Sequence, residues 1–194
     1  MLKTSTLHQP TAGPDGDCDM AAVSFAVRTL IDIAARRKGI DDTRCRVALL
    51  HFETATLLHR SLRRALKPHK LTDLQFAVLV ILFSTEPEPI SASVLAEHAA
   101  VSRAAITEAL DKLEALQFAT RARDDADRRV MYVRITAAGQ ETVDAAINDY
   151  LRTAEVATRY VGPAAQRAVL VAYLQLLRGL SVNGQPRRSA AARA

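Results

Sequence analysis

The sequence predicts a mainly helical protein with one small β-hairpin, and three observations lead there. Apolar residues recur at helical spacing over long stretches rich in alanine and leucine, and tryptophan is absent. Two helical segments are separated only by Ala99, Ala100 and Val101, too few residues for anything but a tight turn. Behind them comes a knot of acids and arginines, DDADRR, followed by a run from Val130 to Ile135 that alternates with period two.

The elements can be justified in order. Asp19 is placed to cap a first helix whose apolar stripe is Val23, Val27, Leu30, Ile31 and Ala34. Arg36, Arg37 and Lys38 suit the negative end of its dipole, and Gly39 can close it. A second helix is expected from about Thr43 to Leu66, with the stripe Val47, Leu50, Thr54, Leu57, Leu58 and Ala65, and Pro68 stops it. In LTDLQF, Thr72 and Gln75 have capping-box spacing and Leu71 and Phe76 can staple the entry. The run Phe76–Phe83 is apolar all round, which predicts a central helix. EPEP at 86–89 forces a turn.

Ser91 or Ser93 can begin a short helix ending near His98, and Ser102 can cap one running to about Leu116. A strand over roughly Ala119–Arg123 must pair with the alternating run, whose faces are Met131, Val133, Ile135 and Val130, Tyr132, Arg134. Thr136 caps a long helix to about Val161, Gly162 and Pro163 break it, and a last helix ends near Leu180. Apolar residues on these two helices, from Val143 through Leu177, are too many for lone surface helices and predict burial against a partner.

The domain plan is therefore a flexible arm (1–18), N-terminal helices for dimerisation (19–68), two tightly linked helices and a hairpin behind a central helix (69–139), C-terminal dimerisation helices (140–181) and a disordered tail (182–194). At 194 residues the chain is long enough for one domain with a core of its own, since 49% of it is hydrophobic. A net charge of +5 permits a polyanionic partner without demanding one. No apolar run reaches the roughly 18 residues that cross a bilayer, and the N-terminal segment lacks the apolar stretch of a secretion signal. Cys18 and Cys45 stand far from any second ligand pair, so a reduced, cytoplasmic protein without metal or cofactor is expected.

A helix-turn-helix followed by a charged hairpin is a winged helix. Its recognition helix offers one face to a major groove. Ile106, Leu110 and Leu113 make the inward stripe, leaving Arg103, Ala105, Thr107, Glu108 and Lys112 outside. The order LTDLQFAVL, LAEHAAVSRAAITEALDKLE, DDADRR, ITAAG resembles the MarR family of winged-helix transcription regulators over about Val47–Tyr173. That family's wing holds Asp-x-Arg followed six residues later by apolar-Thr-x-x-Gly, places taken here by Asp127, Arg129, Ile135, Thr136 and Gly139.

The resemblance implies a homodimeric, sequence-specific DNA-binding regulator, a repressor released by a small aromatic acid. Arg129 would be its minor-groove finger and Asp127 the partner that orients it. The DNA-contacting set becomes Ser102, Arg103, Ala105, Thr107, Glu108, Lys112, Arg121, Arg123, Asp127, Arg128 and Arg129. Two-fold symmetry implies a pseudo-palindromic site with half-sites about 10 base pairs apart. Two departures stand out: Glu108 where a basic residue is common, and Gln117-Phe118 where Gly-Leu is common. Glu108 repels phosphate yet can accept from cytosine N4.

The family's effectors bind between the dimerisation helices and the winged domain, which makes His51 a candidate ligand contact. His51 and His59, eight residues apart, are too distant to share a metal. Cys45 near a helix start is a candidate oxidant sensor, though a spectator thiol is the blander reading. No phosphate loop, GxSxG, His-Glu metal pair or CxxC is present, so an enzyme is not expected. A dimeric ligand-binding or interaction module that has lost DNA binding is the alternative, favoured by Glu108 and opposed by the Asp127–Arg129 motif.

Overall fold

The computed structural model describes residues 20–124, 127 and 130–183. A short 3-10 turn at Met20–Ala22 precedes α1 (Phe25–Arg36), α2 (Asp42–Leu66), α3 (Asp73–Thr85), β1 (Ile90–Ser91), α4 (Ala92–His98), α5 (Arg103–Ala115), β2 (Ala119–Arg123), β3 (Met131–Ile135), α6 (Ala137–Thr158) and α7 (Pro163–Asn183). Two compact units divide between Arg64 and Ala65.

In the first unit α1 begins later than the sequence suggests. Asp19, the expected cap, lies outside the described residues, and Ser24 occupies the N-cap position. Its hydroxyl and backbone N–H both donate to the Glu53 carboxylate on α2, at 3.1 and 3.2 Å. Val27 and Ile31 are buried, whereas Leu30 of the expected stripe is exposed. Asp41 accepts from the Arg44 N–H at 3.0 Å, so α2 starts at Asp42, ahead of the expected Thr43. Val47, Thr54 and Leu57 of its expected stripe are exposed.

The second unit holds the principal core. The capping box at Thr72 and Gln75 is present in both directions, with bonds of 2.9 and 3.3 Å. The central helix expected from the apolar run is α3: Val78, Leu79 and Leu82 are almost fully buried, although Phe83 is exposed. They pack with Leu95 of α4, Ile106, Leu110 and Leu113 of α5, Val133 of β3, and Val143 and Ala146 of α6. The first half of α6 thus belongs to this core, with Tyr150 stacked 4.9 Å from Phe76.

The sheet has one strand more than expected. β2 and β3 pair antiparallel from Ala119↔Ile135 to Arg123↔Met131, the hairpin read from the sequence, but β1 adds to the other edge of β3 through Ile90↔Val133. The order is β1-β3-β2. Two residues of β1 carry too little period-two signal to be read as a strand.

Three chain reversals in this unit place a non-glycine residue in left-handed backbone: Lys70 (φ 57°), Ala100 (φ 53°) and Gln117 (φ 60°). At Ala100 and Gln117 the bonds of a Schellman stop are present, including Val101 N–H to the Ala96 carbonyl and Phe118 N–H to the Leu113 carbonyl. This explains the Gln117 departure physically. The position wants glycine because its φ is positive, and glutamine bears the strain.

Candidate nucleic-acid interface

α4 and α5 form the expected helix-turn-helix. Ser91, rather than Ser93, caps α4, accepting from the Val94 N–H at 3.3 Å. Ser102 caps α5, accepting from the Ala105 N–H at 3.2 Å. α5 divides as its spacing requires: Ile106, Ala109, Leu110 and Leu113 face the core, while Arg103, Thr107, Glu108 and Lys112 are exposed. Ala105, expected outside, is half-buried.

The exposed face is less basic than a bare count implies. Lys112 donates to Glu108 at 2.7 Å, one helical turn away. This hydrogen bond, reinforced by the charge of Lys112, holds the Glu108 carboxyl below its usual range. Beside the start of α5 lies a cleft of about 260 Å³ lined by Ser91, Ser93, Arg103, Thr107, Val130 and Met131. It joins the recognition helix to the base of the wing with hydroxyls and one guanidinium.

The wing is built from β2 and β3. Asp124 N–H donates to the Val130 carbonyl at 3.0 Å, and Val130 N–H to the Asp127 carbonyl at 2.8 Å. The Asp124 side chain accepts from the Asp127 N–H at 2.7 Å. Aspartates at this tip therefore shape the turn as well as carry charge. Arg128 and Arg129, two of the expected DNA contacts, lie outside the described residues, as does Asp125. Arg123 is exposed on β2.

Arg121, one of the expected DNA contacts, is engaged by two acids of α5. Its Nε donates to Glu114 at 2.7 Å and its Nη2 to Asp111 at 2.6 Å, while its backbone N–H donates to the second Glu114 oxygen at 3.0 Å. Chiefly the Glu114 hydrogen bond, partly offset by burial, raises the guanidinium's already high pKa. On β3, Arg134 reaches the Pro87 carbonyl at 2.7 Å. Neither pairing was legible as a motif, because each joins residues on separate elements.

The apolar-Thr-x-x-Gly motif has a packing reason. Thr136 caps α6 by accepting from the Gly139 N–H at 3.0 Å, and its hydroxyl donates to the Gln117 carbonyl at 2.7 Å. A Cβ on Gly139 would sit 2.1 Å from the Phe118 carbonyl oxygen and 2.8 Å from Ile135 Cγ1. Only glycine lets α6 leave the hairpin so close to the end of α5.

Outside this face, His51 is exposed on α2. Cys45 is half-buried in an apolar cleft of about 420 Å³ between α1 and α2, with Leu30, Ile33, Ala34 and Leu49. Cys18 lies outside the described residues. Among the described residues no cluster of His, Cys, Asp or Glu could hold a metal, and no helix is long and apolar enough to cross a membrane.

Comparison with known proteins agrees with this geometry. Residues 71–131 match the MarR family model. No curated protein matches the chain in sequence. Among solved structures, AbsC, a MarR family transcriptional regulator from Streptomyces coelicolor, is 22% identical with a TM-score of 0.66, covering 77% of this chain and 100% of its own. A second Streptomyces coelicolor MarR family regulator, solved in complex with DNA, is 21% identical with a TM-score of 0.62, over 74% of this chain and 92% of its own. YusO from Bacillus subtilis is 18% identical with a TM-score of 0.59, over 73% and 99%. At these identities the structures speak to the fold, and the family model speaks to the segment from the start of α3 to the wing. From Leu71 to Met131 the chain matches the MarR family model, and its fold there is that of a winged helix.

Proposed function

We propose that this chain is a DNA-binding transcription regulator of the MarR type, acting as a homodimer. The observation that carries the reading is the exposed face of α5, with Arg103, Thr107, Glu108 and Lys112 outward and a paired hairpin directly behind it. A capped helix of 13 residues with one solvent face fits a major groove, and the adjacent hairpin then meets the backbone or the neighbouring minor groove. Arg129 as a minor-groove finger oriented by Asp127 is part of the proposal on the strength of the sequence motif. That one similar protein was solved with DNA supports the reading.

A second copy is supported by α7. Leu170, Leu174 and Leu180 are 63%, 60% and 69% exposed on that helix, more apolar surface than a solvated helix carries without a partner. Repression relieved by a small aromatic acid is the regulatory form the family resemblance supports. The Cys45 thiol, opening onto the α1–α2 cleft, supports oxidant sensing as the second reading. Selection of duplexes from a randomised pool by the full chain, followed by footprinting, tests the proposal. Paired half-sites about 10 base pairs apart are expected; failure to enrich any duplex refutes DNA reading. Adding benzoate-type acids or peroxide to the complex, with Cys45→Ser as the control, separates the two switches.

A further inference from the structure

We infer that Arg121 is a positioning residue that fixes the angle of the wing against the recognition helix, rather than a DNA contact. The inference rests on the DNA-binding reading above. β2 is an edge strand, and the backbone N–H of Arg121, which does not serve β3, is taken by Glu114 of α5. The same carboxylate accepts from the Arg121 Nε, and Asp111, one turn back on α5, accepts from Nη2. Three bonds from one residue thus tie the hairpin to the C-terminal half of α5. Only Leu116, Gln117 and Phe118 link the two elements covalently.

Beyond β1, which pairs only with Tyr132 and Val133, the wing continues as a two-stranded ribbon, and such a ribbon has a soft twist about its own axis. The guanidinium is planar, and its fork meets two carboxylates with a defined orientation. The Arg121 side chain is 23% exposed, which keeps this pairing partly shielded from solvent screening, unlike the Glu108–Lys112 pair on the open face. The bridge also offsets one of the two negative charges of Asp111 and Glu114, acids that would otherwise repel phosphate more strongly beside a DNA-reading helix. Its consequence is coupling: the base preference of α5 and the flank preference of the wing are read together because the two are held at one angle.

The test compares the full wild-type chain with Arg121→Gln, Arg121→Lys and Asp111→Asn. Each binds the duplex that wild type selects from a randomised pool, and the same duplex with its A·T flanks replaced by G·C. Positioning predicts that Arg121→Gln loses about tenfold on the selected duplex and little on the flank-replaced one, so that flank preference collapses. Arg121→Lys, a point charge without the fork, should recover only part of that preference. Asp111→Asn should also reduce flank preference, although it removes a negative charge near the DNA. Thermal midpoints are read in parallel, and Asp111, which is exposed, gives the decisive variant should Arg121→Gln fold poorly. Equal weakening on both duplexes, or tighter binding by Asp111→Asn through a freed guanidinium, overturns positioning in favour of direct phosphate contact. A wild-type chain that selects no duplex overturns the DNA reading itself, and the positioning role with it.

Discussion

The winged core and the terminal helix α7, both in the second unit, use similar residues to opposite ends. In the winged core Leu79, Leu95, Leu110 and Leu113 are less than 2% exposed, each enclosed by neighbours from several elements. On α7 every described side chain is exposed, leucines and valines included. Composition is therefore a poor guide to burial. What separates the two is topology: short connections fold α3 to α6 back on one another, whereas α7 follows a helix break at Gly162-Pro163 and adds no side chain to the core among the described residues. The winged fold encloses a core of its own, while α7 leaves apolar side chains exposed.

The largest expected effect breaks the winged side of that contrast. Gly139→Ala puts a methyl group against a backbone oxygen that no side-chain rotation relieves, and should cost about 3 kcal/mol or more in denaturant unfolding. Next, Leu113→Ala opens a cavity in a closed core and should cost about 2–5 kcal/mol. Leu170→Ala on α7 should stay within about 0.5 kcal/mol when the protein is dilute. Its effect should instead appear as weaker self-association in sedimentation at high concentration. An equal, concentration-independent loss for the two leucines would dissolve the distinction.

Smaller effects sharpen it. Ala100→Gly relieves the positive φ in the turn between α4 and α5, and thermal melting should show a gain of about 0.5–1 kcal/mol. The smallest effect lies on the open face of α5. Because the folded Glu108 carboxyl sits below its ordinary value, its pairing with Lys112 favours the fold above the unfolded carboxylate range. That contribution fades as pH falls through the lowered value. Lys112→Ala should move the Glu108 titration upward in carboxyl-detected NMR, with almost no change in midpoint at neutral pH. An unmoved titration would mean that Lys112 does not hold it.

By itself the sequence determined the local signals. Thr72 with Gln75, Ser102 and Thr136 marked helix starts because a side chain three residues from its backbone partner needs no tertiary context. Residues 119–123 and 131–135 declared a hairpin by alternation and a polar turn, and the register followed. The inward stripe of α5 was legible because 3.6 residues per turn fixes which positions share a face. Tertiary structure decided what joins distant positions. β1 exists only because β3 offers it an edge, and two residues carry no period of their own. The engagement of Arg121 by Asp111 and Glu114 depends on where the Gln117 reversal turns the chain, so sequence spacing left it among the candidate DNA contacts. Burial was decided the same way. Periodicity says which side of a helix is apolar, but only the packing of neighbouring elements determines whether that side is covered, as it is in α5 and is not in α7.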